Sequence, residues 1–356
     1  MREYLPAPIV FIGQFPPPLT GYSLATARLA ERISQRQPLD VVNIAGVGSK
    51  GRFTFHLSRI ARVAKALARI FYIRVGRGGW LAYTSCDGGL GVLYVLLIAA
   101  VVRACGMRLY VHHHSYGYID RTRQLMRALL AVAGSRATHI VLSAGMAKAL
   151  AERYGRPINS LVLSNAALIP TEPWKPRERM PDAPLILGML SNLTTEKGLF
   201  IYLDLLKALR KAGLPCLGLL AGPLANEQDR PRFDAMREQL ADSLRWLGPV
   251  QGAAKKAFFA EIDLFIFPTL YVYEAQPLVI FEALERGVPV IAYDRGTIGE
   301  QIRDAGLMVR RDADFVSTAE SFINGLSTDL LGELTHKART RFNEEKDTFS
   351  SIVDFF

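Results

Sequence analysis

Short apolar runs alternate with longer amphipathic stretches from one end of the chain to the other. An apolar run bounded by turn residues reads as a buried strand, and apolar positions every three or four residues read as one face of a helix. On that basis strands are predicted over residues 8–13, 39–45, 80–85, 107–114 and 158–167, with a further strand in THIVL. A second set follows over 185–190, 215–223, 244–250, 264–267, 288–292 and in GLMV at 306–309. Helices fill the intervals. Residues 168–184, rich in proline and charge and without hydrophobic period, divide the two sets as a linker. Strands that alternate with helices form parallel sheets. The expected class is therefore α/β: two doubly wound, Rossmann-like domains over 1–167 and 185–345 facing across a cleft, with an apolar tail over 346–356 packing back.

One stretch organises the second half. Residues 263–294, DLFIFPTLYVYEAQPLVIFEALERGVPVIAYD, read as strand, loop, helix and strand, with the helix opening at Pro277. Glu274 lies on the loop and Glu282 two turns into the helix. In open α/β sheets ligands bind beyond the carboxyl ends of the strands, where the next helix points its positive end. Both glutamates thus belong near such a crevice, and the N–H groups of Leu278 and Val279 are free to hold a phosphate. Lys197 and Gly198 stand at the start of another helix, carrying Leu199, Leu203, Leu206 and Leu209, where charge and backbone N–H groups together would grip a diphosphate.

This pattern of Pro268, Glu274, Leu278, Val279, Glu282 and Ala283, followed by GVPVIAYDRG, resembles the E-x7-E signature of glycosyltransferase family 4, which has the GT-B fold. The resemblance covers almost the whole chain and is stronger in the second half. It implies a retaining, metal-independent transferase that takes a nucleotide sugar as co-substrate, with no other cofactor, and passes the sugar to a saccharide or lipid-linked saccharide acceptor. It also implies roles. Lys197 would hold the diphosphate, Glu282 the ribose hydroxyls and Glu274 the sugar. The turn at Gly222 would line the nucleotide site. A histidine at the strand end HHH, one of His112, His113 and His114, would meet the sugar. Two positions depart from the family. Asn192 replaces an Arg that contacts the diphosphate, and the loop before the first helix has Gly21 followed by Tyr22 where a Gly pair is usual, so Tyr22 is a candidate partial lid. Asn165 falls where the family has the Asn of a turn.

Composition narrows the alternatives. The chain of 356 residues is half apolar, enough for two cores. Three cysteines without metal-like spacing are expected as buried thiols of a reducing cytoplasm. Three consecutive histidines on an extended strand cannot face one metal ion, because neighbours point to opposite sides. No secretory leader is read at the N-terminus, and the longest apolar run, 90–102, is too short to span a bilayer. Residues 1–170 carry a net charge of +15 and residues 171–356 one of −5. Within the basic half, residues 56–73 divide as a helix. Arg59, Arg62, Lys65 and Arg69 lie on one side; Leu57, Ile60, Val63, Leu67, Ile70 and Phe71 lie on the other, expected to pack on the sheet. The basic side would suit an anionic inner-membrane surface. Nucleic acid ranks last as a partner, since no aromatic residues or reader motif accompany the charge. Other readings of the same architecture are an epimerase, a phosphorylase, or a non-catalytic membrane-surface partner.

Overall fold

The computed structural model describes residues 8–46, 52–180 and 183–350. The chain divides into one unit reaching to Leu168 and a second over Ile169–Asp347.

The first unit runs β1 (Ile9–Gly13), α1 (Gly21–Ser34), β2 (Leu39–Asn43), α2 (Arg52–Gly76), β3 (Leu81–Cys86) and α3 (Gly91–Ala104). It continues through β4 (Arg108–His113), α4 (Gly117–Asp120), α5 (Gln124–Ala133), β5 (Thr138–Val141), α6 (Ala144–Tyr154) and β6 (Ser160–Val162). All strands are parallel in the order β2-β1-β3-β4-β5-β6, with β1 at the point where the order reverses. β1 and β3 are buried along their whole length, as continuous apolar runs in a parallel sheet should be. Phe11 stacks on Tyr83 between them at 4.0 Å. Ser143 caps α6 by accepting from Met146 N at 3.0 Å, as its place before the helix predicts. The strand expected over 158–167 is shorter. At Ser164 the hydroxyl accepts from the N–H of Ala166, and Asn165–Leu168 turns into a 3₁₀ helix with Asn165 buried.

α2 is rotated from the expected setting. Val63, Ala66, Ile70 and Ile73 are its buried residues, whereas Leu57, Ile60 and Phe71 face solvent. The cause is electrostatic. Arg59 reaches Asp87 at 3.0 Å and lies over the Tyr94 ring, and Arg69 grips both oxygens of Asp40 at 2.7 and 2.5 Å. The helix is apolar over more than half its circumference, so hydrophobicity leaves the rotation open and the two carboxylates fix it.

The second unit runs β7 (Leu185–Leu190), α7 (Leu199–Lys211), β8 (Cys216–Ala221), α8 (Arg230–Leu240), β9 (Leu244–Trp246), α9 (Gly252–Glu261) and β10 (Leu264–Phe267). Then come α10 (Leu278–Glu285), β11 (Val290–Tyr293), α11 (Ile298–Ile302), β12 (Gly306–Val309), α12 (Phe315–Asn324) and α13 (Thr328–Ser350). The parallel order is β12-β11-β10-β7-β8-β9, so β7 and β10 lie side by side where the winding reverses. The four leucines read onto α7 are all buried in the core, with Phe233, Leu264 and Ile266. The segment before β7 is held by charge and aromatic contact. Glu172 pairs with Arg286 and Lys256, Trp174 Nε1 donates to Arg286 O at 2.7 Å, and Arg177 and Arg179 reach Asp263. Of the tail expected over 346–356, residues 351–356 lie outside the described residues.

Candidate functional site

In the second unit the loops after β7 and β10 meet at the reversal point. Leu270 N donates to Glu196 O at 2.8 Å, joining the loops by their backbones. Lys197 Nζ lies 2.5 Å from Glu274 Oε2 and 4.4 Å from the centre of the Tyr271 ring. Thr269 Oγ1 donates to the same carboxylate at 3.2 Å. The lysine is thus fixed by a carboxylate and an aromatic face, both from the loop of the neighbouring strand. An ammonium has three donors, so two remain for an anion. Leu278 and Val279 occupy the first turn of α10, with Pro277 as its N-cap. Their N–H groups have no acceptor within the helix. Glu282, one turn further, pairs with Lys255 Nζ at 2.5 Å.

Two glycines make the close approach of these loops feasible. Gly198, the N-cap of α7, has φ +84°, and a Cβ there would lie 2.2 Å from Pro268 O. Gly222, after β8, has φ +120°, and a Cβ would lie 1.8 Å from Ser191 O. Gly222 N donates to Gly248 O at 2.7 Å, and Trp246 Nε1 to Gly222 O at 3.0 Å. Asn192 is exposed on the loop after β7.

In the first unit the three histidines separate. His112 and His113 are fully buried; His112 Nδ1 is 2.8 Å from the Tyr83 hydroxyl, and His113 bridges Tyr118 and His139 at 2.9 Å each. His114 is half-buried just beyond β4, 5.0 Å ring to ring from Tyr22 and 4.0 Å from His112. Among the described residues its Nε2 has no hydrogen-bond partner. Burial pushes all of these imidazoles toward neutrality. His114 falls to about 3 and His139, also under the influence of Arg156, to about 4. Tyr22 is held by a 2.6 Å bond from its hydroxyl to Ser85 Oγ, and its hydroxyl pKa is raised by burial and then by Asp87. Gly21 is exposed at the head of α1, with open space around it. Asp87, on the loop after β3, gathers Gln14 at 2.6 Å and Arg59 at 3.0 Å.

Lys255, Thr269 and Tyr271 were not among the residues singled out from sequence. Each acts on a candidate through folding, and nothing in the run GAAKK at 252–256 distinguishes Lys255 from Lys256. Among the described residues no group of three or more His, Cys, Asp or Glu side chains is arranged to hold a metal ion.

Two parallel, doubly wound six-stranded units of this kind make up the GT-B fold, and solved structures with that fold superimpose along nearly the full chain. HepE of Anabaena, in a crystal structure with UDP and glucose, aligns with a TM-score of 0.67 at 17% identity over 98% of both chains. Sucrose-phosphate synthase from Thermosynechococcus elongatus gives 0.71 at 14% identity over 98% of this chain and 97% of its own. The lipopolysaccharide outer core galactosyltransferase WaaB gives 0.62 at 16% over 96% and 99%. Residues 170–342, nearly the whole second unit, match the family of glycosyl transferases group 1. WcaL of Escherichia coli K12, named for a colanic acid biosynthesis glycosyltransferase, is 23% identical over 202 residues, 54% of this chain. That match takes in 49% of WcaL, so the chain spans about half the length of this relative over their similarity.

Proposed function

We propose that this protein is a retaining glycosyltransferase of family 4, which moves a sugar from a nucleotide diphosphate to a saccharide or lipid-linked saccharide in cell-surface polysaccharide synthesis. The observation that carries the reading is the union of Lys197, Glu274 and the head of α10 at the reversal point of the second sheet. The group 1 match over the same residues and the UDP bound by HepE agree with it.

In this reading Lys197 and the N–H groups of Leu278 and Val279 hold the diphosphate. They stabilise the charge that grows as the bond from the anomeric carbon to the phosphate oxygen breaks, its electron pair leaving with the diphosphate. Glu282, oriented by Lys255, accepts hydrogen bonds from the ribose hydroxyls. Glu274 accepts from sugar hydroxyls beside the electron-poor carbon. The acceptor oxygen attacks on the face the phosphate leaves, and its proton passes to the departing phosphate oxygen, which preserves the configuration. Of the three histidines, His114 is assigned to the sugar, since His112 and His113 are spent on Tyr83, Tyr118 and His139. Being neutral, it acts as a hydrogen-bonding group and not as a cation. Asn192 leaves Lys197 as the main positive charge on the phosphates, and Tyr22 and Gly21 supply the first-unit contribution to donor binding.

The test is a panel of nucleotide diphosphates and nucleotide sugars screened by thermal shift, followed by NMR of the product's anomeric configuration. Stabilisation by at least one nucleotide diphosphate, lost in Lys197→Ala, is expected. No stabilisation by any of them, or a product of inverted configuration, contradicts the reading.

A further inference from the structure

We propose that the outer face formed by α2 and α3 in the first unit docks on an anionic lipid bilayer. Both helices bury one side on the sheet, yet their opposite sides are also apolar. On α2, Leu57, Ile60, Ala64, Phe71 and Val75 follow one another at helical spacing on the solvent side, Phe71 being 61% and Val75 70% exposed. On α3, Leu90 at its N-cap, 69% exposed, leads into Leu93 and Leu97 on the solvent side. The helices are neighbours, joined by the Arg59 guanidinium over Tyr94 at 4.7 Å. Leucine, isoleucine and phenylalanine in contiguous stripes are unlike the scattered apolar residues of an ordinary surface, and mark an interaction face.

The charge around this face selects the occupant. Between residues 44 and 107 there are nine Lys and Arg and one acidic residue, Asp87, which is already engaged by Gln14 and Arg59. Arg59 and Arg69 are committed to Asp87 and Asp40, so of the basic side read from sequence Arg62 and Lys65 are left for the contact. Arg62, Lys65 and Arg77 provide the outward charge, without a carboxylate on either helix to answer it; Arg103 is turned to Val132 O at 2.8 Å. A second copy of the same face would bring these cations together over a shared apolar seam. An anionic bilayer answers both features, acyl chains receiving the leucines and phenylalanine while headgroups receive the cations. Among the described residues no helix is long and apolar enough to cross a membrane, so the face lies on the bilayer. The inference goes beyond sugar transfer and holds without it.

The test is flotation of the full chain with phosphatidylcholine vesicles containing phosphatidylglycerol, against phosphatidylcholine alone. Binding to the anionic vesicles, weakened by salt, is expected. The double variant Phe71→Ser/Leu97→Ser should lower the partition coefficient by about tenfold or more, and Lys65→Gln by about fivefold. Leu330→Ser, at an exposed leucine of α13, should leave it unchanged. Circular dichroism melts and nucleotide diphosphate binding of each variant report its folding independently of vesicles. The proposal is overturned by absence of vesicle binding, by equal binding to both compositions, by an unaffected double variant, or by a wild-type dimer that the double variant dissolves.

Discussion

Lys197 has a carboxylate, an aromatic ring and a helix start around it, and each of these settles a different part of its behaviour. Glu274 fixes where the ammonium sits, Tyr271 covers it, and α7 begins at the next residue with Gly198 as its N-cap. In the proposed reading Lys197→Ala removes charge stabilisation of the leaving group, and kcat/KM should fall by about a hundredfold to a thousandfold in a coupled transfer assay. Lys255→Met should act differently. It removes the ion pair that holds Glu282 and, in the proposed reading of Glu282 as the ribose ligand, should raise the donor KM more than it lowers kcat, because that contact is made equally in ground and transition states. Gly222→Ala puts a methyl where the carbonyl of Ser191 already is and a side chain at φ +120°; a loss of about 3 kcal/mol or more in urea unfolding is expected. The positions of Lys197 before a helix and of Glu274 on the loop after a strand were legible in sequence from the change of hydrophobic period, and that of Glu282 from the helix opening at Pro277. Lys255 was not, because an ion pair between distant helices leaves no periodicity. Neither could the order of HHH tell which ring is spent internally, since Tyr83, Tyr118 and His139 come from other elements.

At the level of elements, α10 deserves comparison with α2. α10 is short, from Leu278 to Glu285, and its rotation is locked at its far end: Glu285 is buried and pairs with Arg339 at 2.8 Å and Arg286 at 3.0 Å. Removing Arg339 leaves that carboxylate to Arg286 and the Glu172 N–H, so Arg339→Leu should cost about 2 to 3 kcal/mol in denaturant unfolding, the loss of a charge-assisted hydrogen bond, and loosen Glu282 one turn away. Arg339→Lys, which keeps the charge but not the fork, should recover only part of the loss. The existence of both helices was readable from their apolar spacing. The setting of α2 was not, because apolar residues occupy more than half its circumference and the deciding contacts, Asp40 and Asp87, lie outside the helix. Such a helix betrays its partner only when both of its apolar sides are counted.

For the molecule as a whole, the four histidines His112, His113, His114 and His139 gather in the first unit, and all have imidazole pKa values lowered by burial. The unfolded chain protonates them near the ordinary value while the folded chain does not, so the unfolded state binds more protons as pH falls below about 6.5. Stability is therefore full above that pH and declines toward the folded values, about 3 for His114 and about 4 for His139. Acidification to about pH 5 should remove roughly 2 kcal/mol for each of these two groups. Hydrogen exchange at pH 7 and pH 5 locates the loss: faster exchange is expected in β4 and β5, with β7 and β10 unchanged. The two-sheet architecture followed from the alternation of strands and helices, since a parallel strand needs a crossover to reach its neighbour. Strand order did not, because the same alternation permits the winding to reverse at more than one place.

β7 and β10 are adjacent in the sheet, while Lys197 and Glu274, which follow them, are 77 residues apart in the chain. A nascent chain that has emerged only through β8 therefore displays the lysine with nothing to meet it. The pair that would grip a nucleotide in the proposed reading is completed late in synthesis, after the fourth strand of this sheet has left the ribosome. A nucleotide cannot serve as an early folding template for such a protein; it can only trap the half once built, adding stability in proportion to its concentration.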